Sequence, residues 1–193
     1  ARGWYSTATG KRTQASGGIS TAMGTETTAS GNASTAMGSN TTASGDFSTA
    51  MGTGTTASGW YSTAMGIGTQ ASGDFSTAMG EGAEASGFAS TALGYGTTAS
   101  GIQSTAMGRY TTAQDYGTTA IGLFNKTKET PNPDSFSYQN TAFVIGNGGY
   151  NSEGGYLGTD ESRSNAFEVL FDGTTTIAGD LNINSDARLK ANI

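Results

Sequence analysis

The chain has 193 residues, a formal net charge of −6, 12% charged residues, 31 glycines and neither cysteine nor histidine. Disulfides, cysteine-based zinc sites and histidine-dependent catalysis are thereby excluded, and the acidic balance with scattered basic residues argues against nucleic-acid binding. No apolar run is long enough to span a bilayer as a helix, and a random chain this rich in Gly, Ser, Thr and Ala would be disordered.

A strict period reverses that expectation. Eight 14-residue units reading G-x-x-S-T-A-M-G-x-x-T-T-A-S begin at Gly3, Gly17, Gly31, Gly45, Gly59, Gly73, Gly87 and Gly101, and a weaker ninth begins at Asp115. The chain starts inside a repeat and so reads as a fragment of something longer. Each unit holds two short extended stretches, such as Ser34 to Met37 and Thr41 to Ser44, separated by glycine-containing turns. Two strands and two turns in so few residues predict one coil of an all-β parallel β-solenoid, because a helical hairpin repeat needs more than about 30 residues. Alternation places Thr35 and Met37 on one face and Ser34 and Ala36 on the other; Thr41 and Ala43 oppose Thr42 and Ser44 in the same way. Stacking at about 4.8 Å per coil lines up like residues. Met23, Met37, Met51, Met65, Met79, Leu93 and Met107 form the expected core ladder. A coil this thin has too little to bury alone, which predicts several chains sharing one apolar axis.

These units resemble the head repeats of YadA-type trimeric autotransporter adhesins, which share the 14-residue period and an S-x-A-x-G core. The resemblance covers residues 3–122. It implies a left-handed parallel β-roll from each of three chains, with two further copies of the chain as partners.

Two residue pairs vary in each unit. The pair after the first glycine is rich in aromatics, and Trp4, Tyr5, Phe47, Trp60, Tyr61, Phe75 and Phe88 are the candidate receptor-binding residues. An exposed aromatic row suits a sugar face or a protein hot spot, and equally these rings could seal the roll by packing on neighbouring coils. Asp46, Asp74 and Asp115 occupy the same turns, where capping of their own turns is expected over cation ligation. Regular Thr arrays on a flat solenoid can bind ice, but Thr41 and Thr42 are adjacent and point to opposite faces.

The period fails after Gly122. Residues 123–140 hold both prolines and predict a loop or insertion that ends the roll. Residues 141–184 predict a small β connector: a strand at Thr141 to Ile145, a long turn over 148–165, and a hairpin of Ala166 to Phe171 with Thr174 to Ala178 around Asp172-Gly173. Leu181 to Asn184 would add a last short strand. Residues 185–193 read S-D-A-R-L-K-A-N-I, which resembles the opening of the endosialidase-type intramolecular chaperone of phage tailspikes and tail fibres. The resemblance implies self-cleavage at Ser185-Asp186, with Ser185 as nucleophile and Lys190 as general base, in a full-length parent. A desolvated lysine can serve that role without histidine. Without the chaperone body the tail reads as an inert linker in a truncated or uncut chain.

The function expected is receptor binding without turnover by a homotrimeric extracellular fibre segment, on a virion tail or a bacterial surface, with a host-cell glycan or protein as partner. No cofactor, metal, nucleic acid or membrane insertion is expected. Alternatives are an ice-binding or purely structural solenoid, or a glycan-cleaving tailspike. The last needs paired carboxylates in a cleft, whereas the acids here are scattered over turns and connector.

Overall fold

The computed structural model describes residues 1–149 and 163–179, among which there is no helix. Each of the eight full repeats forms one coil with a long and a short strand, and the ninth unit adds a long strand. The long strands are β1 (Thr7–Lys11), β3 (Thr21–Thr25), β5 (Thr35–Ser39), β7 (Thr49–Thr53), β9 (Thr63–Ile67), β11 (Thr77–Glu81), β13 (Thr91–Tyr95), β15 (Thr105–Arg109) and β17 (Thr119–Leu123). The short strands are β2 (Gln14–Ala15), β4 (Thr28–Ala29), β6 (Thr42–Ala43), β8 (Thr56–Ala57), β10 (Gln70–Ala71), β12 (Glu84–Ala85), β14 (Thr98–Ala99) and β16 (Thr112–Ala113). Long strands pair with long and short with short, always in parallel, giving two sheets that wind up the rod as a β-solenoid. Register is kept residue for residue: Ala22 faces Ala36, Met23 faces Met37 and Gly24 faces Gly38.

Four ladders of small residues fill the coil. Ser20, Ala22, Thr27 and Ala29 of the second coil are all fully buried, and so are their counterparts Ser34, Ala36, Thr41 and Ala43 in the third. This is the face assignment expected from alternation. The methionine ladder belongs to the other face. Met23, Met79 and Met107 remain 43%, 37% and 38% exposed, beside the half-buried Thr21, Thr77 and Thr105. Within one chain the expected core ladder is therefore corrected: Met shares alternation parity with the outward Thr, and the interior is alanine and hydroxyls. The longest apolar side chains of the repeat thus lie on the outside of the long-strand sheet.

Both glycine ladders are steric requirements. A Cβ at Gly31 would collide with the carbonyl of Gly45, and one at Gly38 with that of Gly52. The backbone passes so close between coils that no side chain fits.

Beyond residue 122 the roll does not stop where the period does. Strand β18 (Thr141–Asn147) pairs in parallel with β17, matching Ala120 to Val144, Ile121 to Ile145 and Gly122 to Gly146. F-V-I-G is a further long strand, reached after an offset of 24 residues in place of 14. Two antiparallel strands follow, β19 (Asn165–Leu170) on β18 and β20 (Thr175–Ile177) on β19. The hairpin about Asp172-Gly173 agrees with expectation, with Leu170 N–H donating to the Thr174 carbonyl at 2.9 Å. The predicted strand at Leu181 to Asn184 and most of the predicted turn over 148–165 lie outside the described residues.

The short-strand sheet ends at β16, and side chains cover its last edge. The Asn125 amide acts as a substitute strand: Thr112 N–H donates to Asn125 Oδ1 at 2.7 Å, and Asn125 Nδ2 donates to the Thr112 carbonyl at 2.9 Å. Asp115 pins the insertion by accepting from Asn132 N–H at 2.7 Å and Thr141 N–H at 3.0 Å, with Lys128 Nζ at 2.9 Å. These partners satisfy backbone groups that would otherwise be stranded at a buried sheet end.

Candidate binding surface

The two variable pairs form the two edges of the solenoid. At the first edge each turn closes by a bond such as Ser48 N–H to the Gly45 carbonyl, 3.2 Å. The second residue of the pair takes a left-handed conformation: φ is 59° at Phe47, 54° at Tyr61 and 59° at Phe75. Bulky residues rarely adopt it, at a cost of roughly 1–2 kcal/mol each. Here the stack over-determines it. Phe47 N–H donates to the Asn32 carbonyl at 2.7 Å, Tyr61 N–H to that of Asp46 at 2.9 Å, and Phe75 N–H to that of Trp60 at 2.7 Å. The hydrogen-bond ladder thus runs through the turns as well as the strands.

This conformation lays successive rings over one another. Phe47 and Tyr61 stack with centroids 4.6 Å apart and planes 4° from parallel; Tyr61 and Phe75 follow at 5.4 Å and 7°. Trp60 stands edge-on to Tyr61 and Phe75 at 4.9 and 6.0 Å, and Phe88 closes on Phe75 at 5.5 Å. All five remain 45–47% exposed. The rings do seal one coil against the next, and they still present a continuous aromatic ridge to solvent. Trp4 and Tyr5 do not join it. They are 82% and 85% exposed, and Gly18-Ile19 and Asn32-Ala33 separate them from the ridge.

The turn aspartates cap, but not their own turns. Asp46 accepts from Asn32 N–H at 2.7 Å, and Asp74 from Trp60 N–H at 2.8 Å, each in the preceding coil. The reason is the stack: a carboxylate at this position lies directly against the turn below it. Among the described residues no group of three His, Cys, Asp or Glu could hold a metal ion. Thr41 is buried and Thr42 faces outward, as their adjacency requires. Ser185, Asp186 and Lys190 lie outside the described residues.

A second aromatic group went unnoticed in sequence because its members come from the other variable pair. Tyr95 and Tyr110 meet at 5.1 Å, Tyr110 and the buried Phe124 at 4.8 Å, and the Arg109 guanidinium lies 5.4 Å from the Tyr95 ring. The 14-residue spacing of Tyr110 and Phe124, with Tyr95 in the pair one unit before, could have pointed to it.

Windows at residues 15–41, 29–55, 43–68, 57–83, 85–111 and 99–125 match a family model of the YadA head domain repeat, each spanning two copies, and together they cover more than half of the chain. The chain belongs to the YadA head-repeat family. No curated protein matches it by sequence comparison. The matched windows end at Asn125, so the YadA head repeats run as far as the side chain that covers the short-strand sheet. The ridge of Phe47, Trp60, Tyr61, Phe75 and Phe88 lies wholly within them, whereas Trp4 and Tyr5 precede the first.

Proposed function

We propose that this chain is the head segment of a homotrimeric, adhesin-like extracellular fibre that binds a host-cell surface receptor without turnover. The observation that carries the reading is the aromatic ridge, whose five rings stay 45–47% exposed on a rigid edge. Rigid aromatics lose little entropy on contact and dominate recognition hot spots. Self-association is supported by the outward Met and Thr ladders on the long-strand sheet. Burying the exposed part of each Met or Leu there against a second and third copy contributes roughly 0.5–1 kcal/mol. Membership of the YadA head-repeat family supports a surface location and leaves both a bacterial surface and a phage tail as settings. In a full-length parent, the resemblance of residues 185–193 to a chaperone opening implies self-cleavage at Ser185-Asp186 by Ser185 and Lys190.

The test of binding is a cell-surface assay comparing the parent with Trp60→Ala plus Tyr61→Ala. At least a ten-fold loss is expected at unchanged oligomeric state, and equal binding sinks the ridge as the contact surface. Release of product from host polysaccharide would overturn the reading of binding without turnover.

A further inference from the structure

We infer that the edge of coils four to seven takes cationic side chains, an arginine- or lysine-bearing segment of a protein partner; this rests on the binding reading above and names its ligand chemistry. The first position of successive turns reads Asp46, Trp60, Asp74, Phe88. Tyr61 N–H to the Asp46 carbonyl, Phe75 N–H to Trp60 and Ala89 N–H to Asp74, at 2.9, 2.7 and 2.8 Å, hold these turns in one line. The Trp60 turn is thereby set against the Asp74 carboxylate, which reaches back to it from the next coil, while the Asp46 carboxylate lies on Asn32, two turns away. A guanidinium or ammonium on the exposed indole gains from the ring quadrupole, and the Asp74 carboxylate accepts its N–H groups. Asp74 spends Oδ1 on Trp60 N–H and keeps Oδ2 without a hydrogen bond among the described residues.

Ring geometry points the same way. Both faces of Tyr61 are covered, by Phe47 on one side and Phe75 on the other. The flat surfaces on which a sugar's C–H groups would lie are used up within the column. Trp60 is turned 61° and 67° from its neighbours and stays 47% exposed.

Charge excludes the opposite partner. No Lys or Arg occurs from Thr13 to Gly108, while Glu26, Asp46, Asp74, Glu81 and Glu84 do. Among the described residues only Glu26 of these has a basic partner, Arg12 at 2.9 Å. The middle of the rod therefore carries a one-sign field that repels sulfated or sialylated glycans and steers cations toward the ridge.

The chain has two tryptophans, so Trp4→Phe leaves Trp60 as a single reporter. Its emission is followed during titration with nona-arginine, a neutral Gly-Ser peptide, heparin and a neutral dextran oligosaccharide. Saturable change with nona-arginine alone is expected, weakening as salt rises. Asp46→Asn plus Asp74→Asn keeps the Oδ1 acceptors and should weaken it about five- to ten-fold. Glu81→Gln plus Glu84→Gln removes the same charge away from the ridge and should change affinity less than two-fold. A saturable response to heparin or dextran without one to nona-arginine overturns the inference, and so does equal loss in the two charge variants. If the aromatic variant loses cell binding yet nona-arginine gives no response, this inference fails alone; if that variant binds cells as the parent does, the reading beneath it fails too.

Discussion

At the scale of the residue, glycines of the same repeat separate into two kinds. Gly38→Ala would drive a methyl into the Gly52 carbonyl, a backbone atom that cannot move without its whole coil. A loss of at least about 3 kcal/mol is expected, read by thermal or denaturant unfolding. Gly68 also has positive φ, at 61°, but a side chain there would meet open space. Gly68→Asn should stay within about 0.5 kcal/mol, since Asn tolerates the left-handed region. The repeat showed which glycines recur; only the approach of backbones distinguishes a steric need from a turn preference. One carboxylate gives a pH-dependent test. Asp172 is held below its ordinary value of 3.8, chiefly by the Thr174 backbone N–H it accepts at 2.8 Å. Its folded pKa is depressed, so its support for the hairpin is complete above the ordinary value and fades as pH falls through the lowered one. An NMR titration should place the Asp172 carboxyl below 3.8, and Thr174→Pro, which removes the donor, should return it upward.

At the scale of the element, each coil is a shell of two strands around four small side chains. Ala50 is fully buried, and Ala50→Val should cost about 1–3 kcal/mol through overpacking. The inward threonines behave otherwise. Thr41, Thr55 and Thr97 are fully buried, and their hydroxyls have no hydrogen-bond partner, unlike Ser34, whose Oγ–H donates to the Gly31 carbonyl at 2.7 Å. Thr41→Val keeps the shape and removes the unmet polar atom, so it should raise stability by about 1 kcal/mol in calorimetry. Strand faces were legible in sequence because period-two alternation needs only local information. The continuation at Phe143 to Gly146 was not. The intervening insertion breaks the count, and the start of β18 is held by Asp115 through Thr141 N–H, 26 residues further along the chain.

At the scale of the whole molecule, the modular register makes strong claims. Deleting residues 59–72 removes one coil and joins Ser58 to Gly73 in phase. The product should fold as a shorter rod, with its circular dichroism per residue unchanged and its surface binding reduced by loss of Trp60 and Tyr61. Light scattering should give three times the 19.4 kDa chain mass for the parent, and a folded monomer would remove the shared Met face. Shape was readable from 14 residues; that Met faces outward, on the face proposed to meet another copy, was not, because the period alone does not say which side of the strand is inside. The in-register stack also has a mechanical side. Hydrogen bonds between coils lie along the rod, so tension on the two ends of a chain loads them one rung after another. A single-chain rod pulled from its ends should yield coil by coil, each release freeing roughly 40–45 Å of chain, and a tether that lengthens in such steps bleeds off force before its attachment lets go.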